Sequence, residues 1–507
     1  MPATYYRPRM SAVLSVPCWG SAADRAAQEQ DDSVTTFPVR VSRATWERND
    51  HNHADSLSIT VDWRDAGVDP RLMSNAIVEF YLGCADDHGE WEPSNENRRF
   101  VGIAADVERS GSESGQSVEI KALDFTTLFL NSRPFPPEGV PRYGMTLREA
   151  WFCIIEHTGG KDTSGNWFQS AKILENALVS SGDTNLADMG LWSAVHAKNP
   201  DAHIPVKPGV DAWAVWQTCV GMLGLISWIE QDRVILTTST NLYSRVDPPV
   251  MVWGGDHSAT SVLAGNIKEI KERRNCTQAG KKICLVSYDP LTGKVLQAFA
   301  PGPPAEKNKG SKKAVPGAAG TTAKEQDQYE VFEENGITNM QALQDKAKRV
   351  YEERTRQELE GSLVTEEMFV GTMNGLGYDL LDLGAGQDIV VAVEQETLDG
   401  LRMVNGISDR VAWLMSRGYS DSVAHLLATN AEGLKFLSPV FFTKTVRTSF
   451  ECDENGGSYS TEITFCNRIE LTAQGPADSP GSRQPVGNGE RPPDYWQNDK
   501  TAQGGAY

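Results

Sequence analysis

The chain has no C-x-x-C pair among its eight cysteines, which stand at 18, 84, 153, 219, 276, 284, 452 and 466, and no histidine cluster beside any of them. That pattern excludes a structural zinc site of the usual kind. Cysteines scattered so widely read as small buried apolar residues of a reducing compartment. Long hydrophobic runs are also missing. Nothing approaches the roughly 18 apolar residues that a membrane helix needs. The apolar run from Ala12 to Val16 is stopped by Pro17, so no signal peptide is expected. Basic charge is in deficit, with 48 Lys and Arg against 68 Asp and Glu, for a formal charge of −20. Such a surface repels free nucleic acid and anionic membrane, and it keeps a protein soluble.

Motifs of chemistry are equally scarce. Neither H-E-x-x-H nor G-x-S-x-G occurs. His51-Asn52-His53, flanked by Asp50 and Asp55, reads as a solvated loop before a strand. Asp86-Asp87-His88-Gly89-Glu90 lacks the spacing of a calcium loop and reads as an acidic turn. Gly159-Gly160-Lys161 follows a helix and misses the first glycine of a phosphate loop, while Gly384-x-Gly386 precedes a strand. The acids Glu333, Glu334, Glu352, Glu353, Glu366 and Glu367 read as exposed surface, because a glycosidase pair needs a defined separation in space. No catalytic, cofactor-binding or metal-binding residue is therefore nominated.

What is present is β periodicity. The length suggests about three domains, and 39% hydrophobic residues suffice for sizeable cores. Residues 1–36 read as an N-terminal arm. Leu57, Ile59, Val61 and Trp63 then alternate with Ser58, Thr60 and Asp62, the mark of a half-buried strand. Further strands are expected over 76–82, 100–107 and 117–123. Residues 131–225 change character. Leu147, Ala150, Trp151, Ile154 and Ile155 fall on one helical stripe, and Asp211 caps a second helix carrying Trp213, Trp216, Val220 and Leu223. Two strands then pair around Gln231-Asp232. The expected plan is a first barrel from 37–130 and 226–261, interrupted by the helical insertion 131–225.

A second barrel region is expected from 262–300 and 360–471, with short helices within 409–429. Between them lie a flexible Pro, Gly and Lys-rich loop over 301–337 and a long helix over 338–359, opened by the capping box Thr338 with Gln341. Between Lys268 and Lys313 stand eleven basic and four acidic residues, a local +7 on an acidic protein. That strip suits an acidic partner or a solvated loop. The folded part closes on a hairpin over 440–471. Tyr459, Thr461, Ile463 and Phe465 share one face of its second strand, and Phe442, Val446 and Phe450 share one face of its first. Asp453-Glu454-Asn455-Gly456-Gly457 forms its loop. A lone hairpin cannot bury that face, so it must lie on another sheet. Residues 472–507 read as an extended tail.

The order of these pieces resembles the baseplate hub proteins of contractile phage tails, the late control protein D type, to which the hub part of type VI secretion spikes is related. The resemblance is carried by Phe100-Val101-Gly102 with the strand that ends in Asp124-Phe125-Thr126, and by the helix, glycine and strand pair over 211–238. Residues 282–294, 346–363 and 443–471 carry it further. It implies a mainly β protein with α insertions, built on two hub-type antiparallel barrels. It also implies a trimeric ring that adapts a sixfold tail tube to a threefold spike around an axial DNA channel. The implied partners are copies of the chain itself, the central spike, the tail tube or tube-initiator protein and baseplate wedge proteins. The chain would be made in the bacterial cytoplasm and end in the virion, binding no specific nucleic-acid sequence and inserting in no membrane. A tail-associated cell-wall hydrolase and a tail-tip host-binding protein are the rival readings.

Overall fold

The computed structural model describes residues 8–17, 34–49, 53–62, 76–84, 91–112, 115–134, 139–157, 174, 177–180, 185–191, 201–204, 206, 209–238, 248–254, 265–275, 282–289, 293–300, 329–334, 337, 340–356, 359–372, 375–392, 406–416, 418–429, 440–452 and 457–467. The expected tail and most of the 301–337 loop lie outside them, as do His51, the Asp86 turn and the Gly159 segment.

Six strands make the first barrel: β1 (Pro8–Pro17), β2 (Val34–Arg48), β3 (Ser56–Asp62), β4 (Ile77–Cys84), β5 (Arg98–Ser112) and β6 (Gly115–Leu123). They pair in the order β1-β4-β5-β6-β3-β2, and β1 also pairs antiparallel with β2, which closes the ring. Alternation drives it. Met10, Ala12 and Leu14 point inward from β1, and Leu57, Ile59 and Val61 from β3, all at most 3% exposed. Closure removes both sheet edges. This corrects the expected arm: residues 8–17 are a barrel strand. Their short polar-apolar alternation reads weakly on its own, and the pairing partners on either side fix it.

Next comes the insertion, with α1 (Thr126–Leu130), α2 (Leu147–Glu156), β7 (Leu178–Ser180), α3 (Ala212–Met222), β8 (Leu225–Glu230) and β9 (Arg233–Thr238). The α2 stripe lands as its spacing demands, with Leu147, Ala150, Trp151, Ile154 and Ile155 all buried. Thr146 and Glu149 form a capping box at its start, and the Asp211 carboxylate accepts from Ala214 N–H at 2.7 Å to cap α3. Gln231 takes φ +55° in the β8–β9 turn. A second correction falls here. β8 and β9 pair with each other and with β7 in a separate three-stranded sheet, not in the first barrel. Their core, around Trp151, Trp213 and Trp216, reaches the barrel through Ile77, Val101 and Ile103, the outward residues of β4 and β5.

Downstream run β10 (Val250–Val252), β11 (Glu269–Arg274), β12 (Lys282–Asp289), β13 (Lys294–Ala300), β14 (Tyr329–Glu333) and α4 (Met340–Arg356). The chain continues through β15 (Leu359–Thr365), β16 (Phe369–Gly371), β17 (Gly377–Asp379), β18 (Asp388–Ala392), α5 (Ile407–Ser416), α6 (Asp421–Thr429), β19 (Val440–Cys452) and β20 (Gly457–Asn467).

A second six-strand arrangement runs β10-β18-β19-β20-β15-β11. Its ends are tied just before β11. Asn266 and Ile267 donate their N–H groups to Val252 O at 3.0 and 3.1 Å. The Asn266 side chain accepts from Val252 N–H at 2.8 Å and donates to Val250 O at 3.0 Å, in effect replacing a strand's backbone. The closing hairpin, β19 and β20, finds the sheet its apolar face required. Phe442, Val446, Phe450, Thr461, Ile463 and Phe465 are all buried. Gly361 in β15 is tight here, since a Cβ would stand 2.3 Å from the Phe465 ring and 2.7 Å from Lys271 O.

The compact unit spanning residues 274–360 and 400–438 holds a different assembly. The sheet order is β13-β12-β14, and α4 lays Leu343 and Ala347 on Ile283, Leu285 and Ala298. So 282–300 is no part of the second barrel, and β14 lies inside the expected flexible loop; both expectations are corrected. Alternation marks a strand but not the sheet it joins, which explains the first difference; β14 is only five residues long and its pairing with β12 defines it, which explains the second. The register holds a consequence. Ala300 faces Ile283 and Tyr329 faces Lys282, so the chain leaves and re-enters on either side of the start of β12. Two inter-strand spacings, about 10 Å, separate those points. Four or five residues would span them. Replacing 303–326 by a short Gly-Ser linker is expected to leave the melting temperature within a few degrees, because closure entropy varies slowly with loop length. A loss of cooperative unfolding would count against this topology.

Candidate functional site

No group of three or more metal-ligating side chains assembles among the described residues. No helix among them is long and apolar enough to cross a membrane. The residues weighed for chemistry are dispersed. His53 is exposed. Glu334 pairs with Lys346 at 2.9 Å, and Glu366 pairs with Lys268. Gly384 N–H donates to the Gln387 side chain at 3.1 Å and Gly386 N–H to Thr443 O at 2.7 Å, which makes that glycine pair a turn against β19. Cys219, Cys284 and Cys466 are buried thiols, and burial pushes the first two up, away from reactivity. Of the basic strip, Lys268 and Lys271 are already paired, with Glu366 and Glu269.

Polar chemistry concentrates instead at two joints. The first lies where β2 pairs with β19 and so connects the two six-strand arrangements. Arg48 is 6% exposed there. It donates to Leu381 O at 2.7 Å and to Thr448 Oγ1 at 3.2 Å, and its guanidinium stacks 4.1 Å from the Trp46 ring. Desolvation pulls its pKa down to about 10, so it stays charged near neutrality. A buried cation with this many partners fixes geometry more than it adds stability.

The second joint lies between the first barrel and the insertion, and it has two parts. Arg98 of β5 reaches the β8–β9 turn, donating to Gln231 Oε1 at 3.1 Å and to Asp232 Oδ2 at 2.9 Å, while Gln231 Nε2 donates to Arg98 O at 3.0 Å. Glu79 lies 3.4 Å from Arg98 on the other side and accepts from Tyr81 OH at 2.8 Å. The other part is Asp124, which ends β6, with Asp55, which precedes β3. Asp55 N–H donates to Asp124 Oδ2 at 3.0 Å, and Asp124 N–H donates to Asp55 O at 2.9 Å. Asp55 Oδ1 accepts from Asn49 N–H at 2.7 Å, and Asp124 Oδ1 accepts from Thr126 N–H, the start of α1, at 2.8 Å. Burial is the largest cause of a raised pKa at both, to about 6 for Asp124. The Asp124-x-Thr126 turn was visible in the sequence. Asp55, Arg48 and Arg98 were not nominated, because their partners lie 69 to 400 positions away.

The fold is mainly β with helical insertions, and its buried polar residues brace the joints between its sheets. No family model matches the chain, and no curated protein matches it. Its neighbours among solved structures are phage tail proteins and type VI secretion proteins. A tail protein from Neisseria meningitidis is 12% identical, with a TM-score of 0.48, covering 91% of this chain and 97% of its own. The 43 kDa tail protein of a Shewanella oneidensis prophage is 9% identical, with a TM-score of 0.46 and coverage of 90% and 98%. An Escherichia coli component of the type VI secretion system is 9% identical, with a TM-score of 0.38 and coverage of 87% and 78%.

Proposed function

We propose that the chain is a non-enzymatic structural subunit of a phage-tail baseplate hub. In this reading three copies form a ring that adapts a sixfold tube to a threefold spike and leaves an axial channel for DNA. The observation that carries it is the pair of six-strand arrangements coupled through β2 and β19. Three chains would supply six such elements, the number a sixfold tube requires. The net charge of −20 has the sign that lets DNA slide along a wall without sticking. The spike, the tube or tube-initiator protein and the wedge are the partners of this reading.

The test is the assembly state. Purified chain, alone and mixed with the spike protein of the same particle, is expected to give a trimer in light scattering and a threefold ring with a central opening in electron micrographs. Monomers alone at every concentration, together with no threefold assembly on the spike, would sink the proposal.

A further inference from the structure

The joint between the first barrel and the insertion holds two neighbouring carboxyls, Asp55 and Asp124. Asp55 and Asp124 continue the β3–β6 ladder by one step, since Ser56 faces Leu123 in that register. The ladder ends there, and the chain turns into α1. Asp124 Oδ2 is held by the backbone N–H of Asp55 and Asp55 Oδ1 by that of Asn49, so neither carboxyl swings out to solvent without losing a backbone hydrogen bond. Asp124 is only 4% exposed. The charged groups that face the pair are Arg48 from β2 and Glu230 from β8. Arg48 spends its two terminal nitrogens on Leu381 and Thr448, so it offsets the pair only at a distance. Glu230 adds a third negative charge from the insertion's own sheet. His53, on the segment that leads into the pair, is exposed.

We propose that the Asp55–Asp124 pair is a proton-responsive joint that sets how firmly the helical insertion is held to the barrel. With a proton on one of the two carboxyls, the pair carries a single negative charge and Thr126 N–H at the start of α1 keeps its Asp124 acceptor. With both ionised, they repel each other and Glu230, and the first turn of α1 opens more often. The inference stands apart from the hub reading, since it concerns one chain and not its assembly.

The sign follows from linkage. Asp124 titrates at about 6 in the fold against an ordinary 3.8, and Asp55 is raised as well. The folded state therefore holds more protons than the unfolded chain across that window, and the joint weakens as pH rises through it. The measurement is hydrogen exchange by mass spectrometry on the full chain at pH 5 and pH 7.5, corrected for the intrinsic pH dependence of exchange. Protection of peptides covering 49–58 and 124–130 is expected to fall by about tenfold or more at the higher pH, a unit of pKa difference being tenfold. Peptides of β12 and β13 serve as the control and should not change. Asp55→Asn keeps an acceptor for Asn49 N–H and removes one charge, so the fall with pH should be clearly smaller than in the unaltered chain, with only Asp124 left to titrate. Glu230→Gln, at an exposed position, should move the midpoint of the fall to lower pH, because removing a repelling negative charge makes ionisation of the pair easier. Equal protection at both pH values in the unaltered chain would overturn the proposal. So would a fall of undiminished size in Asp55→Asn, or a midpoint that Glu230→Gln leaves unmoved.

Discussion

Gly102→Ala is expected to lower the stability of the first barrel by about 3 kcal/mol, at the upper end of the cost of overpacking a well-filled core. A Cβ at this position would stand 2.2 Å from Leu123 O and 2.6 Å from the Phe100 ring. The ring could turn only into the barrel interior, where Phe100 is 3% exposed among Phe80, Val78 and Ile120. The carbonyl cannot yield, because Leu123 is held in the ladder to both β3 and β5. It also stands one residue before Asp124, so strain there reaches the insertion joint. Thermal unfolding followed by circular dichroism should show a drop of several degrees, at about 2–4 °C per kcal/mol for a unit of this size. An unchanged melting temperature would mean that β5 and β6 are not packed as described.

Trp151→Ala is expected to cost about 3–5 kcal/mol, as large-to-small changes at buried tryptophans do. Trp151 is fully buried in the insertion. Its ring meets Trp216 edge-on at 4.8 Å between centroids and Phe129 at 5.0 Å. Its indole N–H donates to Leu174 O at 2.9 Å, so truncation also leaves a buried carbonyl without that donor. The effect should be local first. Hydrogen exchange in α2, α3 and β8 should rise steeply, while β12, β13 and α4 stay protected. Strands β4 and β5 are intermediate, because Ile77, Val101 and Ile103 pack on the same core. A cost below about 1 kcal/mol would show that α2 and α3 do not share one core.

Much of the local structure could be read before any fold was known. The α2 stripe, the Asp211 cap, the Leu57-Ile59-Val61 alternation and the two-faced hairpin each depend on neighbours within a few residues. Spacing of 3.6 or 2 and a capping oxygen suffice to define them. Mainly β architecture with helical insertions follows from the same local signals. Sheet membership did not. Residues 8–17 read as an arm until β2 and β4 enclose them, and β8 with β9 reads equally well as barrel or as separate sheet. β12, β13 and β14 carry the same alternation as barrel strands, yet they lie under α4.

The joints were less legible still. Asp124 drew notice as part of a turn, but its partner Asp55 is an ordinary polar residue before a strand. Arg48 and Arg98 look like any surface arginine until Thr448 and Asp232 are brought to them. By itself the sequence determined most strands and helices of the barrel and the insertion, which of their faces are apolar, and that no familiar catalytic motif is present, because these depend on short-range periodicity and residue type. Only the tertiary structure decided which strands close the first barrel, how β2 and β19 couple it to the second arrangement, and which two aspartates share a buried joint. Those depend on hydrogen bonds between residues tens to hundreds of positions apart, and no local pattern encodes such pairings.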